Sequence, residues 1–135
     1  WDLLLVWEIS KVNKMKNKVI APTEHQIQTQ IMNYLQMKGY YVMRLNTGMI
    51  ENKYGGRIRL SPAGTPDIMA FKKDWPDKPR YKYNHLNLLF IEVKRPKNKP
   101  TRLQEIKMEE LSSFGAKCLV AHSLDEVIEG LSNKT

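Results

Sequence analysis

The sequence predicts an α/β domain with a mixed central sheet flanked by helices. Three observations predict it. Two threonines start helical patterns with a glutamine three residues later, Thr23–Gln26 and Thr101–Gln104. Several short apolar runs lie between and after them, among them 68–71, 88–91 and 118–121, each of strand length. The order is helix, strands, helix, strand, helix, which suits three or four strands covered by helices. With 135 residues and 41% hydrophobic content, the chain suffices for one core.

Residues 1–21 read as an N-terminal leader, with Leu3 to Trp7 as an edge strand or a dimer arm, and residues 22–135 as the domain. After Pro22, Thr23 and Gln26 have capping-box spacing. Ile27, Ile31, Tyr34 and Leu35 then fall within an arc of about 100° on a helix. Glu24 lies inside that arc and Gln28 at its edge, and an acid on a core-facing stripe calls for a reason. Gly39 stops the helix.

Tyr40 to Leu45 reads as a strand and Asn46-Thr47-Gly48 as a turn. Residues 49–63, with Gly55-Gly56, Arg57, Arg59 and Pro62, read as a mobile hairpin or flap carrying positive charge. Pro66 marks the start of a second strand through Phe71. Residues 72–87 are a long charged, aromatic and proline-interrupted connection. Leu88 to Val93 is nearly continuous apolar sequence, the mark of a central strand covered on both faces.

Beyond Pro96 and Pro100, the Thr101 helix is expected to use Leu103, Ile106, Leu111 and Phe114 as its core stripe. Gly115 ends it, Lys117 to Ala121 forms a strand, and Ser123 opens a final helix to about Leu131. The last two strands and the helix between them make a right-handed parallel crossover. There is no internal repeat or low-complexity tract.

The formal net charge of +8 favours an anionic partner, nucleic acid before a membrane surface. No apolar run approaches the roughly 20 residues needed to span a bilayer. Cys118 is the single cysteine, which excludes an intramolecular disulfide and multi-cysteine zinc sites. It fits a reducing intracellular compartment and a buried structural thiol.

Chemistry concentrates in Gly64-Thr65-Pro66-Asp67 and Ile91-Glu92-Val93-Lys94. Residues two apart on a strand share a face, so Glu92 and Lys94 point together. Two carboxylates and an ammonium in a basic domain suit metal-assisted phosphodiester hydrolysis. Mg²⁺ takes hard oxygen ligands and keeps several waters, so Asp67, Glu92 and the Val93 carbonyl could hold it. Lys94 could orient or deprotonate the attacking water, or stabilise charge on the phosphoryl group. Glu24 reads as an outer ligand. Gln104 is either a capping partner or a donor to a phosphate or metal-bound water.

Asp67, Glu92 and Lys94 resemble the signature of the PD-(D/E)XK nuclease superfamily. Glu24-His-Gln-Ile-Gln28, Asn46-Thr-Gly48, Gly64-Thr-Pro-Asp67, Phe90-Ile-Glu-Val-Lys-Arg-Pro96, Leu103-Gln104 and Phe114-Gly115-Ala116 together resemble the VRR-NUC domain, the virus-type replication and repair nuclease module. The resemblance spans roughly residues 22–131. It implies a restriction-endonuclease-like core and a DNA nuclease using Mg²⁺ or Mn²⁺. Asp67 and Glu92 match the metal-holding acids, Lys94 the catalytic lysine, Glu24 the first-helix acid and Gln104 the glutamine after the lysine strand. Short stand-alone members from phages further imply a homodimer cutting branched DNA such as four-way junctions, in a host cytoplasm if phage-encoded. The Trp1–Ala21 leader and the Lys72–Asn87 insertion depart from that pattern.

Arg57, Arg59, Lys72, Lys73, Arg80, Lys82, Arg95, Lys97, Lys99 and Arg102 lie in segments flanking this cluster and would contact phosphates without reading sequence. No base-reading helix is evident. Two other readings keep the same fold: a non-catalytic DNA-binding or scaffold protein, and a nickase or exonuclease needing a partner.

Overall fold

The computed structural model describes residues 2–16, 20–45, 48–74 and 85–132. The elements are α1 (Asp2–Lys16), α2 (Glu24–Met37), β1 (Tyr41–Arg44), β2 (Met49–Glu51), β3 (Arg57–Arg59), β4 (Ile68–Asp74), β5 (His85–Val93), α3 (Arg102–Ser113), β6 (Lys117–Ala121) and α4 (Leu124–Ser132). A four-stranded sheet in the order β1-β4-β5-β6 carries the fold, and β2-β3 is a separate hairpin. β1, β4 and β5 pair antiparallel, whereas β5 and β6 run parallel through α3. The expected mixed sheet flanked by helices is present.

Both capping boxes form. The Thr23 hydroxyl accepts from the Gln26 N–H and the Gln26 side chain accepts from the Thr23 N–H, and Thr101 with Gln104 repeats the arrangement. Each box satisfies two backbone donors that helix geometry leaves over. Gly39, at φ +89°, then turns the chain from α2 into β1.

β5 sits between two strands and shows why its sequence is nearly all apolar. Leu89, Ile91 and Val93 join Ile68, Ala70 and Ala121 in a core with Ile27, Ile31 and Leu35 of α2 and Val127 of α4. Strand alternation sends Phe90 and Glu92 to the opposite face, where they are also buried. α2 and α4 therefore cover one face, and the residues of the candidate site emerge on the other.

Three expectations need correction. Leu3 to Trp7 lies in α1, not in an edge strand. Its leucine-rich composition and first-turn Asp2 are compatible with a helix, and Lys11 stacks over Trp7 one turn away at 4.9 Å. The core stripe foreseen for α3 also fails, since Leu103 is 59% and Phe114 86% exposed, with Ile106 exposed as well. Of that stripe only Leu111 is half-buried, and it is joined by Gln104, Lys107 and Met108, so the inward face is displaced from the apolar one. Cys118 is only half-buried; burial nonetheless raises its thiol pKa. Of the 72–87 connection, residues 75–84 lie outside the described residues, as do Asn46 and Thr47 of the foreseen turn.

Candidate active site

The antiparallel register of β4 and β5 pairs Ile68 with Ile91. Continued by one residue, it sets Asp67 opposite Glu92. Directly opposed residues share a face with Cβ atoms roughly 5 Å apart, so the register brings the two carboxylates together. Asp67 is held from both flanks: its carbonyl accepts from the Leu45 N–H at 2.7 Å and its Oδ2 accepts from the Val93 N–H at 2.7 Å.

The segment before Asp67 needs its glycine. Gly64 has φ +80°, and a Cβ there would overlap the Leu103 carbonyl at the start of α3. A side chain would strain the backbone and force the loop off the helix. This close approach brings α3 beside the strand ends, where Gln104 Nε2 donates to Glu92 Oε1 at 2.8 Å. The capping role foreseen for Gln104 is present, together with a bond to a site carboxylate that neither foreseen role included. Its Oε1 caps through the Thr101 N–H at 2.8 Å while its Nε2 binds Glu92.

Lys94 Nζ lies 3.5 Å from Glu92 Oε1, as the two-residue spacing requires. Glu92 is 2% exposed, and its Oε2 has no hydrogen-bond partner among the described residues. Burial, then the charge of Asp67, push the Glu92 carboxyl up to about 7, with Lys94 opposing. Asp67 is likewise raised, first by burial; the Val93 N–H and the charges of Lys94 and Arg44 pull the other way. Carboxylates of this kind share a preference for an added positive charge.

Glu24 stands at the start of α2, where its Oε1 accepts a long 3.4 Å hydrogen bond from the Arg95 N–H. Among the described residues, no group of three or more Asp, Glu, His or Cys side chains is gathered so as to hold a metal ion. The charge of Glu24, foreseen as an outer ligand, nonetheless acts on both Asp67 and Glu92 and helps to raise each. The hard-oxygen character of the Asp67–Glu92 pair, with one buried oxygen unsatisfied among the described residues, fits Mg²⁺, which commonly uses one or two protein carboxylates plus substrate oxygens.

The basic residues divide by position. Arg95, Lys97, Lys99 and Arg102 are exposed on the loop and first turn that follow Lys94 in the chain, with Arg102 paired to Glu105 at 3.3 Å. Arg57 and Arg59 are exposed on the separate hairpin. Lys72 and Lys73 sit near the other end of β4, roughly 17–20 Å along the strand from Asp67. There Lys72 packs over the Tyr40 ring at 5.6 Å. Arg80 and Lys82 are outside the described residues.

Two neighbouring residues were not singled out as functional by sequence reasoning. Gln28 is buried with no partner for its Oε1 among the described residues, and Arg44 acts electrostatically on Asp67. They line a common cleft of about 220 Å³ with His25, Thr29, Met32, Asn33 and Gln36. Gln28 at the edge of the helical stripe was the available signal. Arg44 had none, because its neighbours come from strand pairing.

A solved structure described as a "VRR_NUC domain protein" matches this fold with a TM-score of 0.50 and 25% sequence identity. The match covers 83% of this chain and 87% of that one. The chain is a distant structural homologue of that nuclease-domain protein. No family model matches the sequence, and no curated protein matches it. The homology is consistent with a PD-(D/E)XK-like core and links the chain to a nuclease fold at family level. Among the described residues, no helix is long and apolar enough to cross a membrane.

Proposed function

We propose that this protein is a metal-dependent deoxyribonuclease that hydrolyses phosphodiester bonds in branched DNA. The observation that carries the reading is the cross-strand pair Asp67–Glu92, with Lys94 beside it and a buried, unsatisfied Glu92 oxygen. Pure phosphate binding gains nothing from two acids in this place. Their repulsion is the expected signature of a site completed by a cation.

Asp67 and Glu92, with the Val93 carbonyl, would hold Mg²⁺ or Mn²⁺. Such an ion, when bound, activates a water and offsets charge on the phosphate. Lys94 would orient the attacking water or stabilise the phosphoryl oxygens, as its place beside Glu92 allows. Gln104 fixes the Glu92 carboxylate, and Glu24 tethers the backbone at Arg95. Arg95, Lys97, Lys99 and Arg102 supply phosphate contacts next to the acids, while Arg57 and Arg59 on the hairpin extend the basic surface. Water attack with loss of the 3′ oxygen leaves a 5′-phosphate. A homodimer would set two such sites against opposed strands, suiting symmetric cleavage of a four-way junction.

A second reading is a non-catalytic DNA-binding or scaffold protein. It is favoured by the pairing of Lys94 with Glu92, which would occupy the ammonium in a structural ion pair. Incubation with Mg²⁺ or Mn²⁺ and labelled linear, flap, splayed and four-way DNAs separates the two. Cleavage by the parent and its loss in Lys94→Ala are expected. Binding without cleavage of any substrate, or equal cleavage by the variant, would overturn the nuclease reading.

A further inference from the structure

The loop between Lys94 and α3 contains a turn closed by the Asn98 N–H donating to the Arg95 carbonyl at 3.0 Å. Pro96 takes its second position and Lys97 its third, with φ +72°. That is the pattern of a type II turn, whose third position normally falls to glycine or asparagine because other side chains resist positive φ. A lysine there exposes a cation at the tip but leaves the turn in need of an outside hold.

His122, just past the end of β6, supplies it. Its Nε2 lies 2.7 Å from the Asn98 carbonyl and its Nδ1 lies 3.0 Å from Glu126 Oε2, which also accepts the His122 backbone N–H at 2.7 Å. A carbonyl and a carboxylate can only accept, so both ring nitrogens face acceptors. Only the imidazolium donates to both; either neutral tautomer turns a lone pair toward an oxygen.

We propose that His122 is the positioning residue of a phosphate-binding turn, its imidazolium bridging Glu126 and the Asn98 carbonyl so that Arg95, Lys97 and Lys99 are held where a nucleic-acid backbone meets the site. The proposal rests on the nucleic-acid reading above and adds the residue that governs it. The ring's partners are Glu126 from α4 and the Asn98 carbonyl of the turn, and Lys97 and Lys99 flank Asn98 in the chain. The Asn98 carbonyl, then Glu126, raise the His122 pKa, and the His122 backbone N–H and ring hold Glu126 down. The bridge is therefore complete below the ordinary histidine range and is lost as pH rises through the raised value.

The test is fluorescence anisotropy with a labelled four-way DNA, without divalent metal, from pH 5.5 to 9, on the parent, His122→Ala and Glu126→Gln. Backbone amide shifts of Lys97, Asn98 and Lys99 are followed by NMR over the same range. His122→Ala is expected to bind about five- to tenfold more weakly than the parent at pH 5.5, the scale of a lost charge-assisted hydrogen bond, and to converge with it by pH 9. Glu126→Gln should move the convergence to lower pH, and in the parent the turn amides should titrate with the His122 ring. Equal affinity of parent and His122→Ala at every pH, or turn amides that ignore the ring, would overturn the proposal. A parent that binds no DNA at any pH overturns the nucleic-acid reading and this role with it. That result is distinct from failure of the latch alone, in which the parent binds and His122→Ala binds equally.

Discussion

Replacing Glu92 by glutamine should stabilise the protein at alkaline pH while abolishing its proposed metal-dependent activity. The side chain is nearly fully buried, faces Asp67 across the strand pair, and has one oxygen without a partner among the described residues. Raising its carboxyl from 4.5 to about 7 corresponds to about 3 kcal/mol of differential interaction between its two protonation states. Between those pH values the native state keeps a proton that the unfolded chain releases. Stability therefore falls as pH rises through the window and stays lower above it. Glutamine preserves the acceptor for Gln104 Nε2 and carries no charge, so it escapes this cost. Urea denaturation of parent and variant at pH 4.5 and pH 8, in EDTA, measures the difference. Glu92→Gln should be roughly level with the parent at the lower pH and more stable by about 2–3 kcal/mol at the higher. Millimolar Mg²⁺ at pH 8 should then raise the stability of the parent more than that of the variant, since a ligand stabilises only the state that binds it. A variant no more stable at pH 8 than at pH 4.5, relative to the parent, would refute the electrostatic account of this site.

Gly64→Ala should cost about 2–4 kcal/mol in the same assay, because the new Cβ meets an immovable backbone carbonyl of α3 at positive φ. A loss below 0.5 kcal/mol would mean the loop and helix are not in contact, taking ~0.5 as the usual size of neutral surface changes. Phe114→Ser should change stability by no more than about 0.5 kcal/mol, as its ring is exposed; a core-sized loss would restore the stripe expected from sequence. Asp67→Asn retains an acceptor for the Val93 N–H and should weaken metal-dependent cleavage far more than metal-free DNA binding. Equal losses in both would point to a structural role for Asp67.

Much of the secondary structure was legible because it is local. A capping box spans four residues, and both boxes start helices as their spacing predicts. The centre of β5 announced itself by the nearly continuous apolar run from Leu88 to Val93, since both faces are covered there. α3 shows where that reasoning stops. Its apolar residues predicted one face, yet Gln104 turns another inward to bond Glu92, and Gly64 lets the helix start approach the acids. A polar contact made across 12 residues of chain leaves no trace in hydrophobic periodicity. The same holds for Leu3 to Trp7, whose short apolar run is compatible with helix or strand.

The chain by itself determined which residues could do chemistry: Asp67, Glu92, Lys94, Glu24 and Gln104 are all visible as charges or amides out of keeping with their surroundings. It also determined that Glu92 and Lys94 share a face, because a strand alternates every two residues. Only the tertiary structure decided that Asp67 stands opposite Glu92, that Glu24 accepts from the Arg95 N–H while its charge acts on both acids, and that His122 reaches the turn at Asn98. Strand register, helix rotation and loop docking are set by contacts between segments far apart in sequence, and local patterns carry no record of them.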